Sequence, residues 1–81
     1  MPIKNLKDMR SGESGRITRI DGGCGMVNRL AALNVRAGRR ITKLNSGFMR
    51  GPVTIVVDRT QVAIGFGMAR RILVEVEDAA R

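Results

Sequence analysis

The 81 residues carry 15 Lys or Arg against 7 Asp or Glu, a formal net charge of +8, with no His and one Cys. This excludes an imidazole base or metal ligand, an intramolecular disulfide, a zinc ribbon and a second domain. No apolar run reaches the ~18 residues of a membrane span, and the first residues lack the apolar core of a secretion signal, so a reducing cytoplasm is the expected compartment. Trp and Tyr are absent and Phe occurs twice, so aliphatic side chains must fill the interior. A chain of this size buries only roughly 60% of its unfolded surface, which makes that interior thin.

In chain order, residues 1–10 read as a lead-in. Ile3, Leu6 and Met9 are spaced by three, which suits a helical turn or an extended arm packing all three. Residues 11–15 form a turn, and residues 16–20 form a β-branched strand. Ile17 and Ile20 break strict alternation there, and a bulge and two-sided burial both stay open. A Gly-rich loop at residues 21–25 leads to an amphipathic helix carrying Met26, Leu30 and Leu33 on one side. Asn34 suits the left-handed position that ends it.

Residues 39–44 are the second strand, followed by a long loop over residues 45–52. Val53, Ile55 and Val57 share one face of the next strand. Asp58-Arg59 makes a tight turn, and residues 61–64 return as the second arm of a hairpin. Gly65-Phe66-Gly67 breaks that strand, with Phe66 expected to tuck inward, and residues 68–71 make about one helical turn. The last strand spans residues 72–77, with Ile72, Val74 and Val76 inward and Glu75 and Glu77 outward. The count is five short strands, one inserted helix and a helical turn. A mainly β, five-stranded small barrel hides the edges of such strands best.

Several segments resemble the FeoA family. Leu33-Asn34-Val35-Arg36-Ala37-Gly38 is similar to its Leu-Gly-Ile-x-Pro-Gly element, with Asn34 keeping the cap and Ala37 giving a less rigid exit than Pro. Gly51-Pro52-Val53 resembles the start of its hairpin. Val62-Ala63-Ile64-Gly65-Phe66-Gly67-Met68-Ala69, followed by Ile72-Leu73-Val74-Glu75, resembles its closing segment, and residues 12–20 resemble its opening strand. The resemblance covers residues 3–77, so residues 1–81 are expected to be a single SH3-like barrel domain. It implies a cytoplasmic accessory protein of ferrous iron transport, peripheral at the inner membrane through FeoB, a permease with a cytosolic G-protein domain. A similar barrel ends the diphtheria-toxin-type iron-dependent repressors.

The chemistry-bearing residues are few. Gly22-Gly23-Cys24-Gly25 precedes a helix and offers backbone N–H groups to a phosphate, but no Gly-Lys-Ser/Thr follows, and the plainer reading is a flexible connection. Cys24 lacks the partners that build a metal site. Glu75, Glu77 and Asp78 offer hard oxygen ligands, yet alternate carboxylates on a strand usually form a solvated face. Ser11, Ser14 and Ser46 have no base partner, so no enzyme, no cofactor and no resident metal are expected.

What remains is docking. Phe48, Met49 and Arg50 sit at a loop tip, where large side chains either anchor a partner or fold back as a lid. Arg36, Arg39, Arg40 and Lys43 form a basic cluster, with Arg16, Arg19 and Arg29 as further candidates and Arg70 and Arg71 as a second group. The expected partner is the cytosolic region of the permease, bound through Phe48, Met49, Arg50, Arg36, Arg39, Arg40 and Arg29. Nucleic acid on the Arg-rich face is the alternative, weakened by the missing aromatic platform. An iron-responsive regulator is a third reading, and weak self-association through apolar loop tips a further option.

Overall fold

The computed structural model describes residues 2–45 and 51–77. It is mainly β. The strands are β1 (Ile3–Asn5), β2 (Ser14–Ile20), β3 (Arg40–Asn45), β4 (Val53–Val57), β5 (Thr60–Ile64) and β6 (Ile72–Val76). Helix α1 (Cys24–Ala31) lies between β2 and β3, and α2 (Phe66–Ala69) precedes β6. All pairings are antiparallel, in the order β1-β6-β2-β3-β4-β5. The sheet thus has six strands, one more than sequence patterning suggests, with β1 and β5 at its edges.

The extra strand comes from the lead-in. It is neither arm nor helical turn alone: β1 runs directly into a 3₁₀ turn, Leu6–Asp8. Leu6 and Met9 are buried in the core, whereas Ile3 is 59% exposed, so only two of the three spaced side chains pack. Asn5 caps the turn by accepting the Asp8 N–H at 2.9 Å, which satisfies one orphan donor.

A bulge reconciles Ile17 with Ile20. Ile17 pairs with Val74 and Arg19 with Leu73, leaving Thr18 as the extra residue on β2. The hydroxyl of Thr18 donates to the Leu73 carbonyl at 3.2 Å. The inserted residue restores the face, so that Ile17 is buried and Ile20 packs, half-buried, on the same core. A second shift between Lys43 and Asn45 leaves Leu44 40% exposed.

Helix α1 begins at Cys24, two residues before the apolar pattern does. Its exit follows the Schellman pattern. The Val35 N–H reaches the Leu30 carbonyl and the Asn34 N–H reaches the Ala31 carbonyl, both at 2.9 Å. Asn34 takes φ 71°, and Leu30 and Val35 are both buried, the apolar contact that accompanies this motif. Leu33 departs from expectation. It lies beyond the last helical residue, in the turn, and is 48% exposed.

The core is the inner face of the sheet closed by Leu30, Val35 and Ala69. Val53, Ile55, Val57, Ile72, Val74 and Val76 all point inward, as the period-two pattern requires. Phe66 opens α2 and is half-buried rather than fully tucked in. The Lys7 ammonium stands 6.0 Å from its ring centroid.

Acid should loosen this fold. Glu13 accepts the Arg10 N–H at 2.7 Å and lies 3.3 Å from the Lys4 ammonium. The backbone donor, and then the Lys4 side chain, hold its carboxyl below the ordinary value of 4.5. Such a group contributes stability above its unfolded pKa and loses it as pH falls through the lower folded value. The chain should therefore be more stable than Glu13→Gln at neutral pH, by up to about 1 kcal/mol. The gap should close as pH drops below about 4. Urea midpoints measured across that range check this, and a gap unchanged by pH would contradict it.

Candidate functional site

The structure sorts the arginine-rich face into held and free charges. Arg39 lies 3.1 Å from the Asp58 carboxylate, which also accepts from the Asn34 amide at 2.6 Å. Asp58 and Arg59 both have positive φ, 50° and 66°. They form the two-residue turn between β4 and β5, a conformation in which Asp is better tolerated than most residues. One carboxylate therefore ties the hairpin turn to the exit of α1 and the start of β3.

Arg40 is held as well. Its guanidinium makes two bonds to Glu77, at 2.5 and 3.0 Å, reaching across β2. The pair lowers the Glu77 pKa and raises that of Arg40, each chiefly through this hydrogen-bonded contact. Glu77 thus faces a guanidinium, which competes with any metal for its oxygens. Arg16 pairs with Arg40 across the ladder and donates to the Gly38 carbonyl at 3.0 Å. Arg19 lies 2.9 Å from Asp21.

Lys43 does not belong to this face. It is fully buried, and its ammonium donates to the carbonyls of Leu6, Lys7 and Met9. Burial pulls its pKa below 10.5, opposed in part by the charges of Asp8 and Glu13. The signal was present in the sequence: two positions after Ile41, Lys43 falls on the inward side of β3. Reading it only as a cation hides that alternation.

Arg29 and Arg36 are exposed and make no ion pair among the described residues, and the same holds for Arg59. Of the expected docking residues, Arg36, Arg39 and Arg40 follow one another between the α1 exit and the start of β3, where Arg39 is drawn to Asp58 and Arg40 to Glu77. Phe48, Met49 and Arg50 lie outside the described residues. Cys24 is exposed in the first turn of α1. Among the described residues no three His, Cys, Asp or Glu side chains come together as a metal would need. No helix there is long and apolar enough to cross a membrane.

Sequence reasoning also missed an open groove of about 520 Å³ between the exit of α1 and the β4–β5 hairpin. Ala32, Leu33 and Asn34 line one side, and Gln61 and Ala63 belong to the other. The misplaced Leu33 is the clue. Together with Ala32, Val57, Val62 and Ala63 it gives the groove a largely apolar lining, and a concave apolar surface is a candidate contact surface.

Comparison with known proteins gives this arrangement a context. The FeoA domain family model matches residues 4–76. A protein of Methanocaldococcus jannaschii named "Putative Fe(2+) transport protein A" is 33% identical over 66 residues, which is 82% of this chain and 78% of that one. Among solved structures, an iron uptake regulatory protein (FeoA) superposes with a TM-score of 0.88 at 30% identity, over 94% of this chain and all of the other. A manganese-dependent transcriptional repressor superposes with a TM-score of 0.85 at 24% identity. This chain spans 42% of that repressor, and the likeness concerns the fold alone. The six-stranded sheet with its inserted helix is thus the SH3-like fold, and with a family match over nearly its whole length the chain belongs to the FeoA family.

Proposed function

We propose that this chain is a small accessory protein of ferrous iron transport that docks on the cytosolic region of a FeoB-type permease and modulates transport or nucleotide turnover. The observation that carries the reading is the family match over residues 4–76, together with the name of the M. jannaschii relative. An accessory role accords with the site. Its ion-paired groups are organised as ties between elements, and among the described residues none is paired as nucleophile and base. A cytoplasmic location, at the membrane only through the partner, is part of the same proposal.

The free cations suit an acidic surface on that partner. Arg36 is the better probe than Arg39 or Arg40, because those two are bound to carboxylates of their own chain and their loss would disturb the fold. In a pull-down with the cytosolic domain of the paired permease, the wild-type chain should be retained at low salt. Arg36→Ala should weaken retention roughly tenfold. Phe48→Ala and Met49→Ala test the loop tip in the same assay. A folded chain that is not retained even at low salt defeats the proposal.

A further inference from the structure

The groove runs along a sheet edge whose backbone has no partner among the described residues. Among the described residues β5 pairs only with β4, in the register Val57↔Thr60, Ile55↔Val62 and Val53↔Ile64, with Val56↔Gln61 and Thr54↔Ala63 between them. The two-residue turn makes Val57 and Thr60 a hydrogen-bonded pair. Alternation then turns Thr60, Val62 and Ile64 toward β4, and turns the N–H and C=O of Gln61 and Ala63 outward. Among the described residues no backbone bond from another element meets those four groups. Their side chains are exposed, and both residues line the groove.

Two donors and two acceptors at strand spacing are what an extended peptide complements by adding a strand. A nucleic acid has no such alternating backbone. No arginine among the described residues lines the groove itself, but three flank its lining residues along the chain, and their charge selects among peptides. Arg59 adjoins Thr60 at one end of β5. Arg36 lies two residues beyond Asn34, and Arg29 one helical turn before Leu33. All three are exposed and outside the ion pairs of the described residues. The nearby carboxylate, Asp58, is taken by Asn34 and Arg39. A second copy would bring the same arginines against one another, in a chain of net charge +8.

We propose that β5 and the Leu33 wall form a docking groove for an extended acidic segment of a partner protein, added as a strand beside Gln61 and Ala63. The inference rests on the docking reading and names the kind of segment docked. Small side chains of the segment would pack on Ala32, Leu33 and Ala63, and its carboxylates would meet Arg29, Arg36 and Arg59.

The test is a titration of the ¹⁵N-labelled full chain with a capped peptide of alternating Glu and Val. Its Lys-for-Glu counterpart and an oligothymidylate serve as parallel probes. The expected result is that the acidic peptide shifts the amide signals of Gln61 and Ala63 most. The Lys peptide should leave them in place. The triple variant Arg29→Gln, Arg36→Gln, Arg59→Asn should bind the acidic peptide at least about tenfold more weakly. Equal binding of the Lys peptide overturns the proposal. So do shifts confined to other strands, oligothymidylate moving the same signals, or shifts that follow protein concentration alone and so report a second copy. The permease domain, titrated in parallel, separates the two readings. If it binds but moves only signals outside the groove, the groove fails and docking stands. If it does not bind while the acidic peptide does, the groove stands and the permease assignment fails.

Discussion

Lys43→Met is expected to cost about 3 kcal/mol of folding stability, although the change replaces a buried charge by an apolar side chain of similar length. The reason lies in what the ammonium does. It has three N–H donors, and all three are used, on Leu6, Lys7 and Met9. Those carbonyls sit in and just after the 3₁₀ turn, where helical geometry leaves acceptors unpaired. Removing the donor leaves the buried Met9 carbonyl and the part-buried Lys7 carbonyl unpaired, each at a cost of about 1 kcal/mol or more, and leaves the buried Leu6 carbonyl with only its 3.3 Å bond from the Met9 N–H. Avoiding the desolvation of a charge offsets part of that loss but not the whole.

The consequence extends beyond three bonds. Leu6 and Met9 supply core side chains, and among the described residues β1 is joined to the sheet only through β6. Lys43 is the tie between this lead-in and β3, and the backbone bond from the Gly12 N–H to the Lys43 carbonyl at 2.7 Å reinforces it. For a domain this small, about 3 kcal/mol lowers the melting temperature by roughly 15 °C. Thermal unfolding and urea titration measure the effect. Amide exchange should show Ile3 to Asn5 losing protection before the central strands. A variant within about 0.5 kcal/mol of wild type would show that Lys43 is not the anchor.

Gly15→Ala is expected to be of similar severity, about 3 kcal/mol, for a reason of space alone. Gly15 lies on β2 with Ile41 of β3 on one side and Val76 of β6 on the other. A Cβ there would stand 2.5 Å from the Glu75 carbonyl oxygen, 2.6 Å from a Val74 methyl and 3.0 Å from the Val76 Cα. Two of those neighbours are backbone, and β6 is held between β1 and β2, so it cannot withdraw. A glycine inside a strand often marks such a close backbone approach. Gly25→Ala is the contrast. It lies inside α1 with nothing within 4 Å of its would-be Cβ, and it should stabilise the chain by roughly 0.5–1 kcal/mol. Equal effects at the two positions would defeat the argument.

From β2 onward the order and type of the elements were legible in the residues. The Val53–Ile64 hairpin, its Asp58-Arg59 turn, the inward Ile72, Val74 and Val76, and the left-handed Asn34 all follow from contacts between near neighbours. Alternation and turn chemistry are local, so a single sequence displays them. The family resemblance rested on those same segments.

The site was legible only in part. Arg36 and Arg29 remain available on the surface, but Arg39 and Arg40 are occupied by Asp58 and Glu77, and Lys43 is inside the core. Asp58 lies 19 positions after Arg39, and Glu77 37 positions after Arg40. No local pattern announces such partners. The bulge at Thr18, the sixth strand and the exposure of Leu33 are of the same kind. The sequence alone determined how many charges this chain carries and which way its strands alternate. Only the tertiary structure decided which charges are neutralised, which is buried and which strand edge is left bare. Those outcomes depend on groups brought together across the sheet, and an electrostatic or backbone partner has no fixed spacing along the chain.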